Sequence, residues 1–484
     1  MKNKKSLIIS LIIILTIVFT CVCGCDLLST QNDAKSIVSI EKTYSEGLKD
    51  VYTINYSDGS KYVFEITNGK DGVNGINGIN GKDGEALDIE SIYNKYLETY
   101  PETTYEEFLK EVLEIEVPSN TISINKALLS CAKVYTEFTQ TTVQQGIRPG
   151  SSISITDTVF SSGSAVVYKV DTEYTYFITN YHVVYNADAN ETDKLPKRIV
   201  CYLYGSEWGP VESGKDASGC TTYNYGSYGI ECQYVGGTTT YDIAIIKAKT
   251  SDVKAVNDKV SPITFADEYH VGDTAIAIGN TEGKGISVTQ GVVSVESEEV
   301  SITDGSTENE YRCMRIDTAI YPGNSGGGLF NSQGELIGIT NGGNPTAQNI
   351  NYAIPLDIVK STVENIMHYG NCAKKIKLGI VVTTTNSKYV YDENTGKGKI
   401  VETLTIKEIE NGAIGQKLGI EVGDVLLSFV IDGIEHEIDR TFNIGDLLLT
   451  IRSGNQISFK VSRQGQILST SVYTVLASDL NSVE

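Results

Sequence analysis

The sequence is poor in positive charge, in histidine and in closely spaced cysteines. Its 484 residues include 39 lysines and arginines against 61 aspartates and glutamates, so the formal net charge is −22. Nucleic-acid binding needs a basic face, and this balance excludes nucleic acid as a partner. No CxxC spacing occurs, so we predict no structural zinc, and nothing else in the sequence implies a metal or a cofactor. The chain has only 4 histidines from which a general base could come.

Glycine and tyrosine, in contrast, are abundant. The chain contains 46 glycines, 29 tyrosines and 11 phenylalanines, and 40% of its residues are hydrophobic. This composition is typical of a folded, strand-rich protein rather than a disordered one. The length is too great for one ordinary domain, so we predict a mainly β protein with two or three domains.

The N-terminus carries an export signal. Three lysines at positions 2, 4 and 5 precede an apolar run from Leu7 to Phe19, and a small residue then precedes Cys25. This pattern resembles the signal of bacterial lipoproteins, in which the cysteine becomes the lipidated first residue. We therefore predict a signal peptide over residues 1–24 and a lipid anchor on Cys25 at the extracytoplasmic face of the cell membrane. An uncleaved transmembrane anchor is the alternative, and it leads to the same location.

Residues 25–118 are predicted to form a surface stalk. Apolar and polar residues alternate over residues 37–67 around a Ser57-Asp58-Gly59 turn, which predicts a small β-hairpin. Residues 69–86 form six Gly-X-Y triplets without a proline. Such a run is predicted to be a flexible spacer, and a weak tendency to form trimers is the alternative.

Helical spacing follows over residues 88–114 on both sides of Pro101, which predicts a helical hairpin at the end of the stalk. Six cysteines lie beyond the signal region, and export permits disulfide bonds between them. Cys220 and Cys232 are the closest pair in the sequence, but the spacing does not assign the connectivity.

Short β-rich runs with Gly, Asn and Asp at their ends continue over residues 119–370. They predict an all-β barrel domain, which a helical stretch near Leu356–Met367 closes. A second β-rich domain is predicted over residues 371–484.

One loop of the barrel region carries a candidate nucleophile. Residues 321–331 read YPGNSGGGLFN, with Ser325 between glycines. A glycine-rich turn without a catalytic role is one alternative for this run. The run also matches G-x-S-x-G, the nucleophile elbow of α/β-hydrolases. That elbow requires a helix after the serine and the acid and base downstream, whereas here a strand is predicted over Glu335–Thr340.

His182 and Asp242 are the candidate base and orienting acid for Ser325. His182 follows the strand signal Tyr176-Phe177-Ile178 after a short break. Asp242 directly precedes the apolar run 243–246, where burying an aspartate is costly unless a group such as an imidazole N–H donates to it. The order His, Asp, Ser is that of the chymotrypsin-type double β-barrels.

Five sequence blocks in this order resemble HtrA/DegP-type serine proteases: TNYHVV, YDIAII, AIAIGNTEGKGISVTQGVVS, DTAIYPGNSGGGLFNSQGELIGIT and INYAIPLDIVK. The resemblance implies a chymotrypsin-like double β-barrel over residues 119–370. In this fold Ser325 would be the nucleophile, His182 the general base and Asp242 the residue that fixes the tautomer of the imidazole.

The same resemblance assigns the surroundings of the nucleophile. It implies an oxyanion hole formed by Gly323, Asn324 and Ser325. Zymogen-activated relatives carry an aspartate at the position of Asn324, so we predict no activation by N-terminal cleavage. No acid stands at Ala319, the position that sets charge specificity in trypsin-type pockets, so we predict an S1 pocket for small or medium aliphatic side chains. The implied pocket residues are Ala319, Ile320, Ile337, Gly338 and Ile339.

Residues 371–484 resemble the single PDZ domain that follows the protease in HtrA-type enzymes, on the runs GAIGQKLGIEVGDVLLSFVIDG and DLLLTIRSGNQISFKVSRQGQ. This implies an α+β domain that binds peptide C-termini by strand addition. Leu378, Gly379 and Ile380 would form the carboxylate-binding loop, and Asp446–Ile451 would belong to the groove helix. A generic β-rich domain is the alternative. Residues 383–399 are predicted to be an inserted polar loop.

The sequence therefore predicts a lipid-anchored serine endopeptidase that acts on misfolded or exported proteins at the cell surface. A homotrimer is compatible with the resemblance and with the Gly-X-Y run. Two other hypotheses stay open: a non-catalytic surface binding protein on a protease scaffold, and a protein that acts chiefly as a chaperone or on one specific signalling target.

Overall fold

The computed structural model describes residues 37–46, 49–67, 89–97, 100–101, 108, 121–145, 151–206, 208–304, 307–343, 349–393 and 397–483. The chain divides into two compact units, residues 1–115 and residues 116–484. The predicted signal peptide, Cys25 and the Gly-X-Y segment lie outside the described residues. No helix within the described ranges is long and apolar enough to cross a membrane.

The described part of the first unit is a three-stranded antiparallel sheet followed by a helix. The elements are β1 (Ile37–Glu46), β2 (Lys49–Tyr56), β3 (Lys61–Thr67) and α1 (Ile89–Leu97). The sequence predicts only a two-stranded hairpin over residues 37–67, and the predicted turn at Ser57–Gly59 joins β2 to β3. The chain also reverses between Glu46 and Lys49, which pair with each other, and this reversal adds the third strand. Most of the second half of the predicted helical hairpin lies outside the described residues.

The second unit begins with helix α2 (Thr121–Leu128) and a closed β-barrel. The barrel strands are β4 (Cys131–Gln145), β5 (Ser152–Val170), β6 (Tyr174–Thr179), β7 (Arg198–Leu203), β10 (Ile230–Thr238) and β11 (Ile243–Lys249). They close in the order β10-β11-β6-β5-β4-β7. A small hairpin of β8 (Val211–Lys215) and β9 (Thr221–Asn224) lies between β7 and β10 in the chain, and helix α3 (Thr250–Val256) follows β11.

A second closed barrel follows directly. Its strands are β12 (Thr274–Asn280), β13 (Ile286–Asp304), β14 (Thr307–Ile316), β15 (Gly328–Phe330), β16 (Leu336–Gly343) and β17 (Asn351–Pro355), in the order β12-β13-β14-β17-β16-β15. The predicted fold class, mainly β with a double β-barrel, is confirmed. Helix α4 (Leu356–Tyr369) follows β17 where a helical stretch is predicted, and it ends at Gly370, whose φ of 83° is left-handed.

Strand β11 explains how the two barrels are held together. Ala244 and Ile246 pack in the core cluster of the first barrel. Ile243 and Ile245 belong to a different cluster, shared with Ile278 of the second barrel and with α4. The uninterrupted apolar run of this strand is therefore required because both of its faces are buried.

The C-terminal part of the second unit has its own apolar core. Its elements are β18 (Ala373–Ile376), β19 (Ile380–Asp392), β20 (Lys397–Ile409), α5 (Ile414–Leu418), β21 (Val425–Ile431), β22 (Ile434–Glu437), α6 (Thr441–Thr450), β23 (Gln456–Arg463), β24 (Gln466–Ser469), β25 (Tyr473–Thr474) and β26 (Leu480–Val483). The main sheet has the order β19-β20-β21-β23-β24, with β22 and β25 paired to β21 and β23, while β18 pairs with β26.

Two expectations for this part are corrected. Residues 383–399 do not form a loop, because β19 and β20 run through most of this range as one long hairpin. The run is polar, but its threonine, valine and tyrosine side chains favour strands. The helix predicted around Asp446–Ile451 begins earlier, at Thr441, where the Asn443 side chain accepts from the Arg440 N–H at 2.8 Å. The domain boundaries and the PDZ assignment stay predictions.

Candidate active site

His182 lies just after β6, in a short 3-10 turn formed by Tyr181–Val183. The turn is anchored by Asn180, a fully buried residue whose Nδ2 donates to the Asp242 carbonyl at 2.9 Å. The His182 side chain is 26% exposed, so it is open to a substrate on one side while the backbone beneath it is fixed. The strand end predicted from the sequence therefore presents the imidazole at the surface between the barrels.

Asp242 is held where the turn after β10 enters β11. Its φ of 49° is left-handed, which is unfavourable for a residue with a side chain and is maintained here by the contacts around it. The side chain is 2% exposed. Oδ1 accepts the His182 backbone N–H at 2.9 Å, and Oδ2 lies 2.8 Å from both His182 Nδ1 and Asn341 Nδ2. These donors offset the cost of burying the carboxylate.

Ser325 lies between Gly323 and Gly326, which both have left-handed backbones, with φ of 96° and 83°. A side chain at Gly326 would collide with the Ser164 carbonyl, because an added Cβ would lie 2.2 Å from that oxygen. Ser325 Oγ donates to the Asn341 carbonyl at 2.9 Å. Asn341 thus contacts Asp242 through its side chain and Ser325 through its backbone, so the structure brings the predicted acid, base and nucleophile into one network.

The backbone around Ser325 leaves two N–H groups, those of Gly323 and Ser325, without a hydrogen-bond acceptor in the described part of the protein. In a trans peptide the C=O and the next N–H point in opposite directions. The Pro322 carbonyl accepts from the Glu282 N–H at 2.7 Å, and the Asn324 carbonyl accepts from Thr340 Oγ1 at 2.5 Å. The N–H groups of Gly323 and Ser325 therefore point away from these anchors, and they donate to no protein acceptor within the described part of the chain.

Asn324 differs from the other two predicted members of the oxyanion hole. Its backbone N–H donates to the Tyr321 carbonyl at 3.0 Å, so this donor is already used inside the turn. Its side chain is buried, and Oδ1 accepts from Thr281 Oγ1 at 2.9 Å. The geometry leaves Gly323 and Ser325 as the available donors and gives Asn324 a role inside the loop.

The residues predicted for the S1 pocket do not share one environment. Ala319 and Ile320 are partly exposed beside the nucleophile loop. Ile337 is fully buried in the core of the second barrel, where Ile320 packs against the same cluster. Ile339 belongs to the other cluster, beside the first barrel and α4, so it is the member least suited to contact a substrate. Gly338 packs close to the Ile354 carbonyl. The S1 pocket as a whole stays a prediction.

Several residues of the site were not found from the sequence. Asn341, Thr340 and Asn180 supply hydrogen bonds to Asp242 or to the nucleophile loop. Asn and Thr are common at strand ends and in turns, so single residues of this kind carry no recognisable signal. Only the pairing of β16 with β17 and the closure of the barrel place Asn341 between Asp242 and Ser325.

A groove in the C-terminal part contains the predicted peptide-binding residues. Leu378, Gly379 and Ile380 line one side, and Ile444 and Leu448 of α6 line the other. The loop is tightly held, because the Leu378 carbonyl accepts from the Gly415 N–H and the Gly379 carbonyl from the Glu410 N–H, each at 2.7 Å. Peptide binding in this groove stays a prediction.

No disulfide bond is formed within the described residues. All six beyond the signal region are free thiols, and Cys372 is the only one of the six that is not buried. Burial raises the pKa of the Cys131 and Cys313 thiols well above the ordinary value, which makes them unreactive.

Two closed β-barrels with this network at their junction have the architecture of trypsin-like peptidases. A family model described as trypsin-like peptidase domain matches residues 163–339. The serine protease Do-like HtrA of Bacillus subtilis is 27% identical over 325 residues, covering 65% of this chain and 64% of that protein. The serine endoprotease DegS of Haemophilus influenzae is 28% identical over 289 residues, covering 58% of this chain and 69% of that protein.

Among solved structures, the HtrA-type protease AlgW with decapeptide aligns with a TM-score of 0.44 at 24% identity, covering 73% of this chain and 97% of that chain. The match to the Bacillus protein spans just under two thirds of that relative's length. Residues 163–339 therefore carry a trypsin-like peptidase domain, and the relatives that this chain resembles include HtrA-type serine proteases.

Proposed function

We propose that the chain is a serine endopeptidase that hydrolyses misfolded or exported proteins. The observation that carries this proposal is that Asn341 forms hydrogen bonds with both Asp242 and Ser325. Its Nδ2 donates to the buried Asp242 carboxylate, and its carbonyl accepts the Ser325 hydroxyl. The same carboxylate contacts His182 Nδ1 at 2.8 Å. Matches to proteins named serine protease Do-like HtrA and serine endoprotease DegS support the same activity.

Asp242 determines which nitrogen of His182 acts as the base. A carboxylate only accepts, so Nδ1 must carry the proton in the 2.8 Å contact. Nε2 of a neutral imidazole is then unprotonated and is free to accept a proton. After that transfer the Asp242 carboxylate stabilises the imidazolium without becoming protonated itself.

The first step begins with rotation of the Ser325 hydroxyl. In the structure its proton is directed to the Asn341 carbonyl, so it must leave that acceptor to reach His182 Nε2. Oγ then bonds to the carbonyl carbon of the substrate while Nε2 takes the proton, which gives a tetrahedral oxyanion. The N–H groups of Gly323 and Ser325 are the donors for this oxyanion, and one such donor is typically worth about 3 kcal/mol.

The remaining steps return the site to its starting state. His182 Nε2–H protonates the leaving amine, the C–N bond breaks, and an acyl ester remains on Ser325. Water then attacks the ester carbonyl while Nε2 takes its proton. Collapse of this second intermediate releases the acid, and the proton on Nε2 returns to Ser325 Oγ.

Substrate and location are proposed from the remaining features. The absence of an acid at Ala319 supports cleavage after small or medium aliphatic residues. The groove of Leu378–Ile380 and α6 supports binding of peptide C-termini by a PDZ domain. The lipid anchor on Cys25 and attachment to the extracytoplasmic face of the membrane rest on the sequence, and a homotrimer is compatible with the resemblance.

A fluorophosphonate probe tests the nucleophile. The purified mature chain is expected to gain one covalent adduct, and Ser325→Ala is expected to lose it together with hydrolysis of an unfolded protein substrate. Ser332→Ala, in a partly exposed turn of the same barrel, is the matched control and should label normally. Labelling that survives Ser325→Ala would refute the assignment. An unlabelled wild type that still binds unfolded protein would favour the non-catalytic binding protein.

A peptide-binding measurement tests the groove. Peptides with a free C-terminal carboxylate and an aliphatic last residue are expected to bind more tightly than the same peptides with an amidated end. Leu448→Lys, which places a charge in the apolar wall of the groove, should abolish that difference. Equal binding of the free and amidated peptides would contradict recognition of a C-terminus.

A further inference from the structure

Ser164 connects the first barrel to the nucleophile loop of the second barrel. It lies on β5, it is 1% exposed, and no motif in the sequence distinguishes it. Its neighbour Gly163 packs so closely against the loop that an added Cβ would lie 2.9 Å from the Ser325 carbonyl oxygen. The two barrels therefore meet at this strand, directly beneath the nucleophile.

Ser164 makes hydrogen bonds to two carbonyls of the nucleophile loop, those of Gly323 and Ser325. Its Oγ donates to the Gly323 carbonyl at 2.8 Å, and its N–H donates to the Ser325 carbonyl at 2.8 Å. The hydroxyl also accepts from the Asn280 N–H at 2.7 Å. Its own carbonyl accepts Thr179 Oγ1 at 2.8 Å. All four contacts are short, and together they orient both the hydroxyl and the backbone of Ser164.

These contacts fix a part of the loop that has little rigidity of its own. Gly323 has no side chain and a φ of 96°, so its two neighbouring peptide planes can rotate at small steric cost. Ser164 Oγ holds the plane after Gly323, while the Glu282 N–H holds the plane before it. If the first contact is lost, the second alone must maintain the direction of the Gly323 N–H.

Loss of the hydroxyl would also leave two buried groups without their partner. The Gly323 carbonyl and the Asn280 N–H would each need a new hydrogen bond, and such a loss typically costs about 1–3 kcal/mol per group. Rotation of the Gly323–Asn324 peptide is the simplest way to recover a partner for this carbonyl. Because this plane meets the Pro322–Gly323 plane at the Gly323 Cα, its rotation loosens the plane that carries the Gly323 N–H.

We propose that Ser164 is a positioning residue for the oxyanion hole, which holds Gly323 so that its N–H faces the carbonyl oxygen of the substrate during acyl transfer. This role rests on the proposed endopeptidase function. Ser164 itself does not contact the reacting atoms. It acts through Gly323, so its removal should weaken stabilisation of the transition state and leave substrate binding unchanged.

The test compares Ser164→Ala with Ser162→Ala, a substitution of the same size two residues earlier on β5, in the full mature chain. Active sites are first counted with the fluorophosphonate probe, and rates are then expressed per labelled site. For Ser164→Ala, kcat should fall about tenfold to hundredfold, somewhat less than for loss of an oxyanion donor itself, with KM within about twofold. Ser162→Ala should match the wild type.

A pair of inhibitors separates positioning from general damage. A peptide aldehyde forms a hemiacetal with Ser325 whose oxygen occupies the oxyanion hole, whereas the corresponding peptide alcohol binds without forming one. Ser164→Ala should lose affinity for the aldehyde by the same factor as kcat and keep its affinity for the alcohol. Ser164→Cys, which keeps the size of the side chain and has a weaker donor, should give an intermediate loss, and it serves if the alanine variant does not fold.

The outcomes are distinguishable. An unchanged kcat per labelled site, or equal loss of aldehyde and alcohol affinity, would overturn the positioning role while leaving the endopeptidase proposal intact. A wild type that neither labels nor cleaves peptides would instead refute the endopeptidase proposal and this role with it.

Discussion

Asp242, which is buried, and Asp446, which is largely buried, are held in opposite ways. The Asp242 side chain is 2% exposed and accepts hydrogen bonds from His182 and Asn341 without a cationic side chain among these partners. The Asp446 side chain, on α6, is 13% exposed and lies 2.5 Å from the Arg312 guanidinium on β14. One carboxylate is therefore stabilised by neutral donors and the other by an ion pair.

The surroundings of Asp446 are crowded with charge. Burial raises the pKa of Asp446 to about 6; the Arg312 guanidinium opposes this shift, and the nearby Asp357 carboxyl reinforces it. Burial also raises the pKa of Asp357. Arg312 stacks over the Phe442 ring at 4.3 Å from its centroid, and Arg440 lies over the same ring at 4.7 Å. This cluster joins α6 to the second barrel.

The difference follows from what each acid must do. An aspartate that orients a catalytic histidine must keep its negative charge available to the imidazolium, and a cation bound to it would weaken that interaction. Neutral N–H donors stabilise the carboxylate and leave its charge uncompensated. An aspartate that joins two packed elements has no such requirement. We infer that Asp242 serves activity and Asp446 serves stability.

The largest expected effect comes from exchanging each acid for its amide. Asp242→Asn should lower kcat about 10⁴-fold, because an amide at this position favours the wrong tautomer of His182. Asp446→Asn should leave kcat within about threefold of the wild type, because this side chain is not part of the catalytic network. Steady-state kinetics on one peptide substrate, with rates expressed per active site, measures both.

Circular dichroism of the two variants is the control, since both should keep the native spectrum. If Asp446→Asn reduces activity as strongly as Asp242→Asn does, the proposed division of roles is wrong, because the ion pair would then belong to the catalytic machinery.

The second effect concerns stability. Arg312→Met removes the cation from Asp446 and should lower the free energy of unfolding by about 3 kcal/mol, the lower end for breaking a buried ion pair, because Asp446 can take up a proton. The double variant Arg312→Met with Asp446→Leu removes both charges and should recover most of this loss. Urea denaturation followed by fluorescence measures all three chains. If the double variant is less stable than Arg312→Met alone, the ion pair stabilises the fold by more than apolar side chains at the same two positions can.

How well the sequence predicts the molecule differs between these two regions. His182, Asp242 and Ser325 lie in apolar or glycine-rich runs whose order along the chain is distinctive, and the structure brings them together. Arg312 and Asp446 are ordinary charged residues 134 positions apart, and only the packing of α6 on β14 pairs them. Local patterns therefore reveal residues whose role depends on their own segment and miss residues whose role arises from tertiary contacts.

The same limit applies within the fold. The alternation of side chains correctly predicts a β-rich protein, and the family resemblance correctly predicts the two barrels. Neither predicts β1 as a separate strand or the long β19–β20 hairpin. Strand β19 is exposed along nearly its whole length, so it has no apolar alternation and propensity alone must identify it. In β1 the alternation is present, and what is missed is the reversal between Glu46 and Lys49. Asn341 and Ser164 are missed for a related reason. The role of a buried polar residue is recognised from its hydrogen-bond partners, and these lie far away in the sequence.

A third effect tests the neutral donors around Asp242. Asn341→Ala removes one of the hydrogen bonds to Oδ2 and should lower kcat about tenfold, because the carboxylate is then less firmly oriented toward His182. Asn341→Ser, which has a shorter donor, should recover part of the loss. The Asn341 carbonyl that binds Ser325 is retained in both variants, so a loss of fluorophosphonate labelling would point to a displaced loop instead of a changed Asp242. Equal rates for wild type and Asn341→Ala would show that the His182 contacts suffice.

The smallest effect is the pH dependence that the burial of Asp446 adds to stability. The pKa of Asp446 is about 6 in the folded chain against an ordinary value of 3.8, so between these values the folded state binds the proton that the unfolded state has released. The stability from this group is therefore fully present below the ordinary value and is lost as the pH rises through about 6. From about pH 5 to about pH 7, the wild type should lose on the order of 1 kcal/mol relative to Asp446→Asn. Urea denaturation of both chains at the two pH values measures the difference. No difference between the two chains over this range would mean that Arg312 offsets the effect of burial and that Asp446 stays ionised from about pH 5 to about pH 7.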